Sequence, residues 1–108
     1  MLLIRGRAGG TALTGTLYEP GETPPRYVGA PNAQAPYVWV CDAFYEVESG
    51  GTVQHIDDRK IHVAFESPAP RGFDDRDRAI ATAEEHLRTQ FGRIGCAESA
   101  VEIEQETV

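Results

Sequence analysis

The stretch FDDRDRAIATAEEHLRTQFGRIG, residues 73–95, decides the fold. Ile80, Ala83, Leu87, Phe91 and Ile94 recur at spacings of three and four, so at about 100° per residue they form one apolar stripe. Arg78, Thr82, Glu85 and Thr89 fall on the opposite side. Asp74 or Asp75 can cap the free amides of the first turn. Asp77 near the start and Arg88 and Arg93 near the end suit the helix dipole. Gly92 and Gly95 are candidate stops, and Gly95 fits better because Ile94 still belongs to the stripe. The spacing therefore predicts an amphipathic helix over 74–94, packed by one face on a sheet.

Working outward, 108 residues make one domain, 1–108, able to bury a core without metal or disulfide. Seventeen acids against ten bases give a net charge of −7, which disfavours non-specific contact with nucleic acid or anionic lipid. Cys41 and Cys96 lack metal-ligand neighbours and are too few for a disulfide scaffold. The Met1–Ile4 apolar run meets Arg5 at once, too short for a signal peptide, and no span approaches the roughly 18 apolar residues of a membrane helix. A reducing cytoplasm, free thiols and no membrane association are the expectation.

Upstream, Arg5 to Gly10 reads as loop. Thr11 to Glu19 reads as a strand broken near Gly15. Residues 20–36 carry prolines 20, 24, 25, 31 and 36, which rules out regular helix or central strand and predicts an irregular loop. Tyr37 to Val47 reads as the strongest strand. Its odd positions (Tyr37, Trp39, Cys41, Ala43, Tyr45, Val47) carry no charge and are expected on the helix side.

Ser49-Gly50-Gly51-Thr52 matches a two-residue hairpin turn, which would set Val47 against Gln54 and Glu46 against His55. Asp57-Asp58 would reverse the chain again, pairing Ile56 with Arg59, His55 with Lys60, Gln54 with Ile61 and Val53 with His62. One long bent strand from Thr52 to Glu66 is the rival reading. Ser67 to Gly72 leads into the helix. Beyond the helix, Ala100 to Gln105 alternates as a last edge strand with Val101 and Ile103 inward. The expectation is an α+β fold: a mainly antiparallel sheet, a three-strand meander with flanking strands, and the long helix on one face.

Function is sought on the open sheet face. Val38, Val40 and Phe44 would leave an uncovered apolar strip there, beside Glu46, His55 and His62. Such a strip suits a protein partner or a second copy in a homodimer, unless the 20–36 loop covers it. The alternative is a small ligand- or metal-binding protein, because His55, His62, Glu46 and Glu48 offer a donor set that zinc accepts. A third reading, an RNA platform of aromatics beside Arg71, Arg76, Arg78 and Arg93, is opposed by the charge and by Glu46 and Glu48.

Catalysis would have to pair Asp42 with His62 or His55. Nucleophile elbows, phosphate-binding glycine loops and zinc-protease helices are absent, so neither an enzyme nor a cofactor is expected. His86 is expected on the solvated flank of the helix. Cys41 is expected to be buried and inert.

Overall fold

In the computed structural model, which describes residues 1–22, 35–66 and 70–108, the helix α1 spans Arg76–Arg93. Asp75 is its cap, accepting the Arg78 amide at 3.3 Å. Ala83, Leu87, Phe91 and Ile94 are fully buried, Ala79 joins them, and Ile80 packs at the margin. The helix stops where Gly95 takes φ 86°. The Cys96 amide then donates to the Phe91 carbonyl at 3.0 Å and the Gly95 amide to Gly92 at 3.2 Å, the paired closure that a glycine just past the helix allows.

Eight strands accompany it among the described residues: β1 (Leu2–Ala8), β2 (Thr11–Tyr18), β3 (Tyr37–Val40), β4 (Ala43–Val47), β5 (Thr52–Ile56), β6 (Arg59–Glu66), β7 (Arg71–Phe73) and β8 (Glu102–Thr107). They make a five-stranded sheet in the order β7-β3-β2-β1-β8 and a three-stranded sheet in the order β4-β6-β5. Every pairing is antiparallel. The architecture is a single small α+β domain, two antiparallel sheets with one helix packed on them.

The inner face of the large sheet is built for close approach. Leu2, Ile4, Gly6 and Ala8 of β1 alternate inward, as do Leu13, Gly15 and Leu17 of β2. A side chain at Gly6 would meet Phe91 at 3.0 Å and Leu87 at 3.4 Å, so the helix rests on bare backbone there. Gly15 is likewise roofed by the Trp39 indole, with Cζ2 at 2.6 Å and the Cys41 Cβ at 2.7 Å from where its own Cβ would stand. Gly15 therefore does not break β2, which is continuous. Residues 5–8 are not loop but the second half of β1, which pairs with β2 on one side and β8 on the other.

Two further expectations are corrected. Tyr37 to Val47 is not one strand, because the chain leaves the large sheet at Cys41–Asp42 and enters the small one at Ala43. Cys41 and Phe44 are both buried, three positions apart, which period-two alternation cannot give. Trp39 and Cys41 thus face inward as expected, but after the break Phe44 faces the core, and Tyr45 and Val47 turn outward.

The expected meander order is also wrong. β6 lies between β4 and β5, so His62 pairs with both Val47 and Val53. Gly50 and Gly51, at φ 80° and 65°, carry the chain across β6 instead of forming a hairpin. Gly51 lies so close to the Val63 carbonyl that a Cβ would collide with it. A tight hairpin and this crossing both need positive φ at two successive residues, so Gly-Gly alone does not distinguish them.

The second hairpin is as read: Ile56–Arg59, His55–Lys60, Gln54–Ile61 and Val53–His62 pair around Asp57 and Asp58, both at positive φ. The last strand, read over Ala100 to Gln105, runs two residues later because Glu98–Ala100 form a short 3-10 turn, and its alternation is as read, with Val101 buried, Ile103 packed on the core and Glu102, Glu104 and Glu106 exposed. Arg71–Phe73, read as linker, forms the edge strand β7 against β3. Residues 23–34 of the Pro-rich stretch lie outside the described residues, and with them the expectation that the loop covers the open face.

Gly15→Ala forces the indole and Cys41 to move in a packed core, and is expected to destabilise by about 1–3 kcal/mol. Urea unfolding should show a lower midpoint at unchanged slope, and parental stability would show that Trp39 is not seated as described.

Candidate functional site

The outer face of the small sheet carries His55 and His62 of the predicted site residues. Cross-strand register places Tyr45 beside Ala64 in one row, Val47, His62 and Val53 in the next, and Lys60 beside His55 in the third. Tyr45, Val47 and Ala64 are half-buried, while Val53 is 44% exposed. The helix reaches this sheet from the inner side, where Phe91 meets Phe44 edge-on at 5.5 Å between ring centres. On the outer face the Gly50–Gly51 crossing is held by His62, whose Nδ1–H donates to the Gly50 carbonyl at 3.0 Å.

The expected site residues are divided by this geometry. Phe44 is 2% exposed and belongs to the core, so it is no part of an open apolar strip. Val38 is also 2% exposed, and Val40 is half-buried, both on β3 of the other sheet. Glu46 pairs with Val63, so it stands on the opposite face from His62 and His55. Glu48 is exposed in the segment after β4. The row of Glu46, His55, His62 and Glu48 offered for metal is therefore not assembled, and no group of three potential ligands forms among the described residues. The placement failed because it rested on pairing β4 with β5, which β6 separates.

Two polar side chains hold the β3–β4 break: His86, expected in solvent, and Gln90, which the sequence reading passed over. His86 Nε2–H donates to the Asp42 carbonyl at 3.2 Å, and the Phe44 amide donates to Gln90 Oε1 at 3.1 Å. His86 and Gln90 are four apart on α1 and so share a face. Backbone groups at the break have no ladder partner, and a buried amide left unpaired would cost about 1–3 kcal/mol. Gln90, 4% exposed, is the one buried polar residue among the described residues. Arg93 Nη1 donates to the same Gln90 oxygen at 3.4 Å. The only sequence signal for this role is an amide-bearing residue next to Phe91 on an otherwise apolar stripe.

His86 is accordingly not solvated. It is half-buried, with its ring in T-shaped contact with Trp39 at 6.2 Å. Burial pushes its imidazole below the ordinary histidine value; the bond to Asp42 opposes this, and the charges of Arg71 and Arg93 add to it. Asp42 is engaged through its carbonyl by His86, while His62 is tied to Gly50. Burial, assisted by the Asp42 charge, pushes the Cys41 thiol up to about 12, and burial also raises Cys96. Both cysteines are free and buried, an environment that disfavours the reactive thiolate.

Of the aromatics considered for an RNA platform, Trp39 is core and Tyr45 lies half-buried on the outer face. No helix among the described residues is long and apolar enough to cross a membrane.

Comparison with known proteins places the chain in a family. It belongs to a family of unknown function (DUF7113), whose model matches residues 1–107. No curated protein and no solved structure matches it.

The depressed His86 value has a consequence for stability. The unfolded chain takes up its proton near pH 6.5, before the folded one does, so folding loses stability as pH falls below that point and levels off beneath the folded value. His86→Gln keeps a donor for Asp42 but removes the titration. Denaturant unfolding at pH 7.5 and at successively lower pH should show a smaller acid loss in the variant, whereas equal losses would refute a buried neutral His86.

Proposed function

We propose that the chain is a small protein-interaction domain, working in a reducing cytoplasm, that acts by binding through the outer face of β4-β6-β5 and associates with a second copy of itself. The observation that carries this reading is the apolar cluster of Tyr45, Val47, Val53 and Ala64 on a face that neither α1 nor the large sheet approaches. Val53, at 44% exposure, is one of the most exposed large apolar side chains within a strand. Exposed apolar surface beside polar groups marks association sites, and here Val47 and Val53 flank His62 and the crossing it anchors, with His55 and Lys60 at one end. The surface differs from the strip of Val38, Val40 and Phe44, because the strand breaks at Cys41–Asp42 and reverses which residues face out.

Supporting this reading, the large sheet is poorly suited to self-association. Its β8 edge presents Glu102, Glu104 and Glu106, all exposed, and charge on an edge strand discourages pairing between copies. Cys41 and Cys96 are buried free thiols, as suits a reducing compartment.

Light scattering on untagged protein tests the proposal. The expected mass is twice 11.8 kDa. Val53→Lys should return it to a single chain at unchanged thermal stability, because Val53 contributes little to the core. A single-chain mass for the parent across accessible concentrations, or a dimer that survives Val53→Lys, would overturn the reading.

A further inference from the structure

Between the two sheets, beside the C-terminal end of α1, lies a cleft of about 130 Å³ lined by Thr11, Phe44, Gln54, Val63, Phe65 and Ile94. None of the side chains around it is charged. Its size is close to that of an apolar cavity of about 150 Å³ that admits benzene. Two observations set it apart from an ordinary packing gap. Phe65 is 51% exposed although its neighbours on the same face of β6, Val63 and Ile61, are buried. Its ring stands at 5.8 Å from Phe44, tilted by 56°, and forms one wall of the cleft with its other side in water.

The second observation concerns Thr11. It shares the inner face of β2 with Leu13, Gly15 and Leu17, and its hydroxyl oxygen is shut off from solvent without a hydrogen-bond partner. A closed-off hydroxyl with nothing to bond is unfavourable. Thr11 also lines the cleft, and rotation about its Cα–Cβ bond to another staggered position moves the hydroxyl out of its closed-off place. The cleft then offers an aromatic wall, an aliphatic floor of Val63 and Ile94, and two polar side chains, Thr11 and Gln54. Glu46, opposite Val63 on the same face of the small sheet, disfavours an anion there.

We propose that this cleft is a binding site for a small uncharged single-ring molecule carrying one hydroxyl, of the phenol class, with its ring against Phe65 and Val63 and its hydroxyl on Thr11. A ring in the cleft would cover the exposed side of Phe65, which the protein's own core leaves in water. The site lies on the inner face of the small sheet and does not depend on association through the outer face.

Amide NMR on the full chain tests it, with phenol and toluene as the probes. Saturable shifts are expected at residues 10–12, Val63 and Phe65 with both. Phe65→Ala, tolerated because the ring is half-exposed, should weaken both probes. Thr11→Val keeps shape but removes the hydroxyl, and should weaken phenol about fivefold to tenfold while leaving toluene unchanged. The proposal is overturned by shifts that do not saturate up to the solubility of either probe. It is equally overturned if Phe65→Ala binds both as the parent does, or if Thr11→Val leaves phenol affinity intact.

Discussion

Phe91 is the residue through which the two sheets become one domain. Its ring lies over Gly6 of β1 and meets Phe44 of β4 edge-on, so a single fully buried side chain touches both. Between them the sheets share no ladder, and a turn contact, Asp57 amide to Gly9 carbonyl at 3.3 Å, joins their tips. Burial must therefore supply most of the cohesion, at about 1.5–3 kcal/mol for each fully buried large apolar side chain. Gly6 and Gly15 make that burial possible by letting Phe91 and Trp39 descend to the backbone. The small residues in the sheet and the large ones above it are two halves of one packing solution.

Once the apolar contacts have fixed the layers, the seams between them leave backbone groups without ladder partners, and the polar residues near the core answer to this need. Gln90 takes the Phe44 amide and His86 the Asp42 carbonyl at the strand break. His62 holds the crossing through Gly50, and Arg59 Nη2 donates to the Ile94 carbonyl at 3.1 Å, where a cation also suits the negative end of the helix dipole. Two of these four, His62 and His86, are histidines, the residue type that first suggests chemistry in a sequence. In this fold each fastens a backbone carbonyl through one ring nitrogen, a bond that restrains the tautomer and orientation of the ring.

Local patterns in the sequence made the helix, its Asp75 cap, its Gly95 stop, the Asp57-Asp58 hairpin and the charged β8 edge legible. Each is set by residues within a few positions of one another, and nearby chemistry suffices to choose among conformations. The strand break at Cys41–Asp42 was not legible, because an unbroken alternation of Tyr37 to Val47 looks the same whether or not the chain changes sheet. Nor was the order of β4, β5 and β6, since Gly50-Gly51 satisfies a hairpin and a crossing equally. The predicted site failed with them. Its residues were grouped by a register two strands wide, so one misplaced strand put Glu46 and His55 on opposite faces.

The exposed edges and faces of the molecule are protected unevenly. The β8 edge carries three glutamates, and the β4 edge is covered where Gln90 accepts the Phe44 amide. The far end of β5 is capped by the β1–β2 turn, where Gly9 accepts the Asp57 amide and Gly10 passes close to the His55 carbonyl. Charge, helix cover and loop cover are the usual devices against unwanted pairing, and each appears here at a different edge. Among the described residues the outer face of the small sheet carries none of them beyond the Gly50 crossing, and Phe65 is 51% exposed beside the cleft. Both features belong to the same three strands. β6 supplies His62 and Ala64 to the outer face and Val63 and Phe65 to the cleft, because successive side chains on a strand point to opposite sides.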